Sequence, residues 1–172
     1  MKYLSPDKLL PGILLPALLW LTGPALALQS DREQPIYITA DHVEIDKGKG
    51  FSKYTGRVHI RQGSVNIRGE LVLFHHQNGE VEKVIINGEP ASFQQQPDKG
   101  SDVIVSNARR MEYFAKTSRL FLIDDAQVTQ GANRFSGERI EYDIYRGTVV
   151  AKKDETGKSR VRAIIAPAEE KN

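Results

Sequence analysis

Four histidines are the first candidates for chemistry in this sequence, because imidazole is both a common metal ligand and a proton carrier. They are His42, His59, His75 and His76. A metal enzyme of the β-jelly-roll type needs a His-x-His pair, a further histidine and a carboxylate. His75 and His76 are adjacent instead, and neighbouring residues of a strand point to opposite faces. The pattern therefore predicts surface or loop histidines and no metal site.

Three further motifs resemble parts of known sites but are incomplete. Residues 157–159 read like the end of a phosphate-binding loop, which needs a glycine five residues earlier, where Lys152 stands. We interpret 155–158 as a hairpin turn. Asp124 and Asp125 form an adjacent acidic pair whose side chains a strand would separate, so a solvated turn is expected. The serine-nucleophile motif Gly-x-Ser-x-Gly is absent from the sequence. We therefore expect no catalytic residue, no cofactor and no enzyme.

Composition excludes several further classes of protein. The 172 residues carry 24 Lys+Arg against 22 Asp+Glu, which argues against a nucleic-acid binder with a dense basic stripe. The chain contains no cysteine, so disulfides, zinc–thiolate sites and a lipoprotein acylation cysteine are excluded. Its length fits one domain.

The amino-terminal segment predicts export. Lys2 and Lys8 precede an uncharged stretch over 9–30 that ends near Ala25-Leu26-Ala27. Small residues at the first and third positions of that triplet fit the groove of signal peptidase, so we predict a signal peptide over 1–27 that is cleaved after Ala27. The alternative is an uncleaved membrane anchor, because about 20 uncharged residues can span a bilayer.

From residue 34 onward, apolar residues alternate with polar ones at a period of two. Short alternating runs separated by glycines are typical of many short antiparallel strands, which predicts an all-β fold. Turn signals lie at 62–63, 78–79, 87–90 and 130–131. The alternating pairs are Ile36/Ile38, Val43/Ile45, Val58/Ile60, Val65/Ile67, Leu71/Leu73, Val84/Ile86 and Val103/Val105.

An internal repeat supports this interpretation. Residues 38–81 align without a gap on 106–149, at an offset of 106 − 38 = 68. Glycine is favoured where the backbone turns with positive φ, so the aligned glycines indicate matching turns. Two similar β-layers in tandem predict a stacked or rolled architecture, because each has an apolar face that needs a partner. The identical pairs are Ala40/Ala108, Glu44/Glu112, Gln62/Gln130, Gly63/Gly131, Gly69/Gly137, Glu70/Glu138, Gly79/Gly147 and Val81/Val149.

An ordered set of segments resembles one known family. The segments 34–38, 54–63, 88–93, 108–113 and 160–167 read QPIYI, YTGRVHIRQG, GEPASF, ARRMEY and RVRAIIAP. They are similar, in this order and over the whole chain after residue 27, to the LptA or small OstA family of periplasmic lipopolysaccharide-transport proteins. The resemblance implies an OstA-like β-jelly-roll of stacked antiparallel strands, open at both ends, over 28–167. Residues 168–172 form a polar tail.

The resemblance also implies a function. Such proteins bridge the inner and outer membranes, with the acyl chains of lipid A in an apolar interior. The implied partners are lipopolysaccharide, further copies end to end, and LptC-like and LptD-like proteins at the two membranes. One lining position of the family holds a larger aliphatic residue where this chain has Ala115. Ile36, Ile38, Phe93 and Tyr113 match lining positions, and the predicted lipid-binding set adds Val58, Ile60, Val65, Ile67 and Met111 from the apolar runs.

The ends of an open stack predict where copies meet. Its first and last strands would leave unpaired N–H and C=O groups near 36–39 and 161–166. Pro35 and Pro167 flank these strands without interrupting them. Strand addition between copies would pair both edges. The predicted assembly edges are Tyr37, Thr39, Val161, Ala163 and Ile165.

Three alternatives remain open at this point. A membrane-anchored LptC-like sister would share the fold but keep its amino-terminal helix. A β-jelly-roll envelope enzyme or sugar-binding protein would need a constellation of residues that the sequence does not show. A structural spacer would have the same apolar positions in a closed core, which composition does not distinguish from an open groove.

Overall fold

The computed structural model describes Asp31 and residues 33–97, 100–153 and 160–167. The predicted signal peptide 1–27, the segments 155–158 and 157–159, and the tail 168–172 lie outside the described residues. The described chain is all-β, as the alternation predicted, with a short 3-10 helix at Ala115–Thr117. The strands are β1 Tyr37–Thr39, β2 His42–Asp46, β3 Phe51–Gln62, β4 Val65–Gln77, β5 Glu80–Gln95, β6 Ile104–Phe114, β7 Arg119–Gln130, β8 Asn133–Asp143, β9 Thr148–Lys152 and β10 Arg162–Ile164.

All ten strands belong to one antiparallel sheet. Six long strands, β3 to β8, pair in chain order, and two short strands complete each edge. β1 and β2 pair with different halves of β3, while β9 and β10 pair with different halves of β8. The two edges do not pair with each other within the described residues, so the stack is open at both ends.

Bulges lie side by side across the middle of the long strands. Pairing shifts register after Thr55, Arg68 and Asn87, and again after Asn107 and Ile123. A bulge bends its strand and increases the local twist. Because the bulges are aligned, the whole sheet bends along one line, and the two halves of each long strand form two facing layers.

This line of bulges corrects two expectations. The segment 87–90, predicted as a turn between strands, lies inside β5 as its bulge. Asp124 and Asp125, predicted as a solvated turn, lie inside β7, exposed and with φ of 63° and 55°. The physical reason is the same at both places: a bulge uses the same glycines, prolines and short polar residues as a turn.

The predicted repeat is present in the structure. β3 and β7 have bounds that differ by 68 at both ends. The amide of His76 donates to the carbonyl of Gly50 at 2.8 Å, and the equivalent Ile144 donates to Ser118 at 3.0 Å. Matching backbone hydrogen bonds at the predicted offset confirm that the two units share one local fold.

An ion pair beside the bulge is also repeated, but with its charges exchanged. Arg57 binds Asp41 at 2.6 Å, and at the positions 68 residues later Arg109 binds Asp125 at 2.8 Å. The hydrogen bond from Arg57 holds the pKa of Asp41 below its ordinary value. The pairing is retained although each charge has changed place, so the contact itself belongs to the bulge geometry.

The pairing register builds continuous rows of inward side chains across the strands. Each row crosses eight strands, or seven spacings of about 4.8 Å, roughly 34 Å in all. The row of one layer contains Ile38, Ile60, Ile67, Phe93, Ser106, Val128, Phe135 and Ala163. A row of the facing layer contains Val43, Tyr54, Val72, Ile86, Met111, Leu122, Ile140 and Ala151.

Ser106 is the polar member of the first row and is fully buried. Its hydroxyl has no hydrogen-bond partner in the described part of the chain. An unsatisfied buried hydroxyl costs about 1–3 kcal/mol. We therefore expect Ser106→Ala to raise the free energy of unfolding by about 1 kcal/mol, measured by urea denaturation.

The matched control is Ser52→Ala. Ser52 is also buried, but its Oγ lies 3.2 Å from Nε2 of His76. Loss of a made hydrogen bond is expected to lower stability by about 0.5–1.5 kcal/mol. Destabilisation by both substitutions would show that the Ser106 hydroxyl is satisfied after all.

Candidate functional site

A cavity of about 210 Å³ lies between the two layers at the β1 side of the stack. Val65 and Ile67 line it from the first half of β4, and Phe74 lines it from the second half of the same strand. The bend in the sheet therefore creates the cavity, because it turns the two halves of one strand towards each other. The other lining residues are Asp31, Ile36, Ile60, Gln62, Val81, Val84, Ile86, Phe93, Gln95, Tyr113, Ala115 and Ile144.

The structure brings six of the nine predicted lipid-binding residues to this cavity. These are Ile36, Ile60, Val65, Ile67, Phe93 and Tyr113. Ile38 packs against the core without lining the cavity, while Val58 and Met111 are buried in the core itself. The latter two do not line the cavity, so a ligand in it would reach them only through their neighbours.

The apolar interior is also exposed at the β1–β2 edge. Val43 lies opposite Tyr54 and Ile45 lies opposite the buried Ser52, so both side chains face inward. They are nevertheless 48% and 59% exposed, because the described sheet ends there and no other described strand covers them. The interior rows thus continue to the edge of the described sheet.

The predicted assembly residues lie on the two edges as expected from the sequence. Tyr37 and Thr39 belong to β1 and are exposed. Ala163 belongs to β10, and Val161 and Ile165 flank it; all three are exposed. The structure adds β2 and β9 to these edges, and each contributes five further residues of backbone that can pair with another strand.

Polar groups occupy one end of the cavity. Asp31, Gln62 and Gln95 line it beside the β3–β4 turn. Asp31 is buried, with 8% of its surface exposed, and it accepts hydrogen bonds from Ser64 and Gln95. The rest of the lining is apolar apart from the Tyr113 hydroxyl, so the cavity suits a hydrocarbon chain with a polar group at its end.

Charged groups beside β5 and β6 are paired on the outer face. Glu112 binds Lys83 at 2.7 Å and Arg110 at 2.6 Å. Burial raises the pKa of the Glu112 carboxyl, but the hydrogen bonds from these two cations outweigh it and hold that pKa below its ordinary value. On the inner side, burial raises the pKa of Tyr142 to about 12. Near neutral pH the ionised Glu112 carboxylate therefore lies outside the apolar interior, and the inward Tyr142 hydroxyl is uncharged.

The described residues offer little else for chemistry. No group of three histidines and carboxylates there could hold a metal ion. Nε2 of His59 lies 3.0 Å from Oδ1 of Asn66, and Nε2 of His76 lies 3.2 Å from Oγ of Ser52, so each imidazole has a polar side chain as its partner. Within the same residues, no helix has the length and apolarity needed to cross a membrane.

Several lining residues were missed at the level of sequence. Phe74, Val81, Val84 and Ile86 belong to apolar runs that could equally have formed a closed core. The repeat was the available signal for Phe74, which aligns with the buried Tyr142. Asp31 had no local signal, because its contacts come from residues 33 and 64 positions further along the chain.

The bent, open sheet and its apolar cavity match one family of proteins. A sequence profile for the family described as LptA/(LptD N-terminal domain) LPS transport protein matches residues 37–148, more than half of the chain. This chain belongs to the LptA/LptD N-terminal domain family. The resemblance found in the sequence is thereby confirmed.

Individual members of the LptA/LptD N-terminal domain family agree with this assignment. The chain is 43% identical to the lipopolysaccharide export system protein LptH of Pseudomonas aeruginosa over 128 residues, which cover 74% of this chain and 73% of LptH. It is 30% identical to the lipopolysaccharide export system protein LptA of Escherichia coli (strain K12) over 171 residues, covering 98% of this chain and 91% of LptA.

A solved structure confirms the expected fold class. The crystal structure of LptH, the LptA-homologous periplasmic component of the lipopolysaccharide transport device of Pseudomonas aeruginosa, matches with a TM-score of 0.73 and 38% identity. The match covers 80% of this chain and 99% of that chain. The stacked antiparallel β-jelly-roll predicted from the sequence is therefore correct.

Proposed function

We propose that this chain is a periplasmic, non-enzymatic carrier that moves lipopolysaccharide between the inner and outer membranes with its acyl chains shielded in the apolar interior. The observation that carries this proposal is the cavity of about 210 Å³ that joins inward apolar rows reaching the edge of the sheet. The segment 1–27 would export the chain and then be removed.

The energetics favour an apolar track. Each CH₂ group exposed to water costs about 0.8 kcal/mol, so several acyl chains cost tens of kcal/mol outside such an interior. A track that continues from one unit to the next keeps the barrier at each transfer small. The sequence contains no complete nucleotide-binding motif. The energy that drives lipopolysaccharide transport would therefore come from another protein of the transport system.

Photocrosslinking tests the carrier proposal. A photoreactive amino acid in place of Ile36, Val65 or Tyr113, all of which line the cavity, should capture lipopolysaccharide. The same amino acid in place of Tyr37, which is 61% exposed on the opposite face of its strand, should not. Equal capture at lining and outward positions would contradict binding in the cavity.

We further propose that copies assemble end to end and that the internal repeat gives the register. Within one chain, β5, which completes the first unit, pairs with β6 of the second. β8 is the repeat equivalent of β4, and β9 and β10 pair with β8 as the two halves of β5 pair with β4. Likewise, β3 is the repeat equivalent of β7, and β1 and β2 pair with β3 as the two halves of β6 pair with β7. A second copy that repeats the β5–β6 pairing would therefore place β9 and β10 against its β2 and β1.

This register continues the interior. It sets Ala163 against Ile38 of the next copy and Ala151 against Val43, which extends both inward rows without a gap. It sets Val149 against Ile45, which covers the exposed apolar surface of β2. A head-to-tail contact of this kind does not close on itself, so it builds an open chain of units. The two ends of that chain would meet LptC-like and LptD-like proteins.

A further inference from the structure

The outer surface of one layer carries arginines and no carboxylate. The inward row that runs from Ile38 to Ala163 has one outward residue before and one after each of its members, because side chains alternate along a strand. We call these outward residues the cationic face. They include four arginines, one histidine and no aspartate or glutamate. The arginines, all of them exposed, are Arg61, Arg68, Arg134 and Arg162.

The four arginines have no ion partner. None of them forms an ion pair or a side-chain hydrogen bond in the described part of the chain. The outer surface of the facing layer differs, because Arg110 binds Glu112 there and Arg119 binds Glu141. A guanidinium group presents a planar set of donors that fits a carboxylate or a phosphate with two hydrogen bonds. The cationic face is therefore available to an external anion.

Amide side chains lie between the arginines. One pair of arginines belongs to β3 and β4, and the other pair belongs to β8 and β10. The strands between them present Gln94, Asn107 and Gln127, whose side chains make no hydrogen bond within the described residues. β4 and β8 are four strand spacings apart, or about 19 Å. Because an amide group both donates and accepts, as a sugar hydroxyl does, the face matches an extended ligand with hydroxyl groups along its length and negative charges towards both ends.

We propose that the cationic face binds an acidic polysaccharide, whose carboxylates contact the arginines and whose hydroxyl groups contact the amides. This polymer is separate from lipopolysaccharide. The inward side chains of the same layer line the cavity, so a lipopolysaccharide with an acyl chain in the cavity lies on the other side of the sheet. Glu70 and Glu89 lie along the bulge line, where their charges limit the site on one side.

A charge-matched comparison tests the arginines. A fluorescent oligomer of galacturonic acid is the probe, and fluorescence anisotropy with the purified protein gives its dissociation constant. Arg61→Gln/Arg68→Gln should raise that constant on the order of tenfold, because two exposed ion contacts are lost. Arg139→Gln/Arg146→Gln removes the same charge from exposed positions outside the cationic face and should change it by less than about twofold. An equal loss of affinity in the two double variants would overturn the proposal.

The amides distinguish a polysaccharide from other anions. Asn107→Ala/Gln127→Ala should weaken binding of the galacturonic acid oligomer on the order of tenfold but leave binding of inorganic polyphosphate within about twofold, because polyphosphate has no hydroxyl groups along its chain. An unchanged affinity for the oligomer, or an equal loss for both probes, would overturn the assignment to a polysaccharide.

Two further measurements separate this surface from a membrane contact and from the carrier function. Vesicles of anionic phospholipid that bind through Arg61 and Arg68, while the oligomer does not bind, would overturn the proposal and assign the face to a membrane. Binding of lipopolysaccharide should be the same in all of these variants and in the unmodified chain, because the substituted side chains lie outside the cavity. A chain that binds the oligomer but not lipopolysaccharide would refute the carrier function and leave the cationic face supported.

Discussion

Val65→Glu is expected to abolish lipopolysaccharide binding while leaving the fold intact. Val65 lines the cavity at the start of β4 and is half-buried, so a glutamate there can reach solvent when the cavity is empty. With an acyl chain in place, the carboxylate would have to lose its water in an apolar setting, which costs several kcal/mol. That cost corresponds to a dissociation constant raised by about two orders of magnitude or more.

The matched control is Gln94→Glu. Gln94 lies on the outer face of β5 between the lining residues Phe93 and Gln95, and it is exposed. Gln94→Glu adds the same charge as Val65→Glu and lies within a few residues of the cavity lining, but its side chain is on the outer face of the sheet. Binding is measured with fluorescently labelled lipopolysaccharide, and circular dichroism checks the fold of both variants. A similar loss of affinity in the two would show that net charge, rather than the cavity, controls binding.

The strands were predictable because their side chains alternate, but the bend of the sheet was not. In β5 the inward residues are Val84 and Ile86 before the bulge, and Ala91 and Phe93 after it. The inward parity therefore changes within one strand. A local pattern divides such a strand into two runs with an apparent turn between them, as happened at 87–90. Only pairing with β4 and β6 shows that the chain continues in the same sheet.

The residues of the candidate site were likewise only partly predictable from the sequence. Ile60, Ile67 and Phe93 could be predicted because each belongs to an alternating run or matches a family position. Val58 and Met111 carry the same signal yet lie in the closed core, because the separation of the layers, not the residue type, decides which apolar side chains meet open space. Asp31 could not be predicted, because the Ser64 and Gln95 that bury it are distant in sequence.

Ile45→Glu is expected to prevent end-to-end assembly. Ile45 is 59% exposed on β2 of the isolated chain, so the substitution should cost the monomer little stability. In the register taken from β5 and β6, it lies opposite Val149 of the neighbouring copy, where a buried carboxylate would cost several kcal/mol. Light scattering over a range of concentrations should show association for the unmodified chain and a monomer mass for the variant. Tyr145→Glu, at a position 76% exposed in the turn after β8 and outside the inferred pairs, is the control and should still associate.

A mixing experiment then tests the register itself. Val149→Lys should also block self-assembly, because it places an ammonium group opposite Ile45 of the next copy. In a mixture of Ile45→Glu chains and Val149→Lys chains, the unsubstituted β9 edge of the first variant can pair with the unsubstituted β2 edge of the second, so dimers form in any head-to-tail register. The edges left on each dimer carry the introduced glutamate and the introduced lysine, which lie opposite each other in the inferred register when dimers join. Since opposite charges at a buried contact attract strongly only when they are close, growth beyond the dimer would place Ile45 and Val149 side by side. A mixture that stops at the dimer, beside an unmodified chain that forms longer assemblies, would show that the copies pair in a register different from that of β5 and β6.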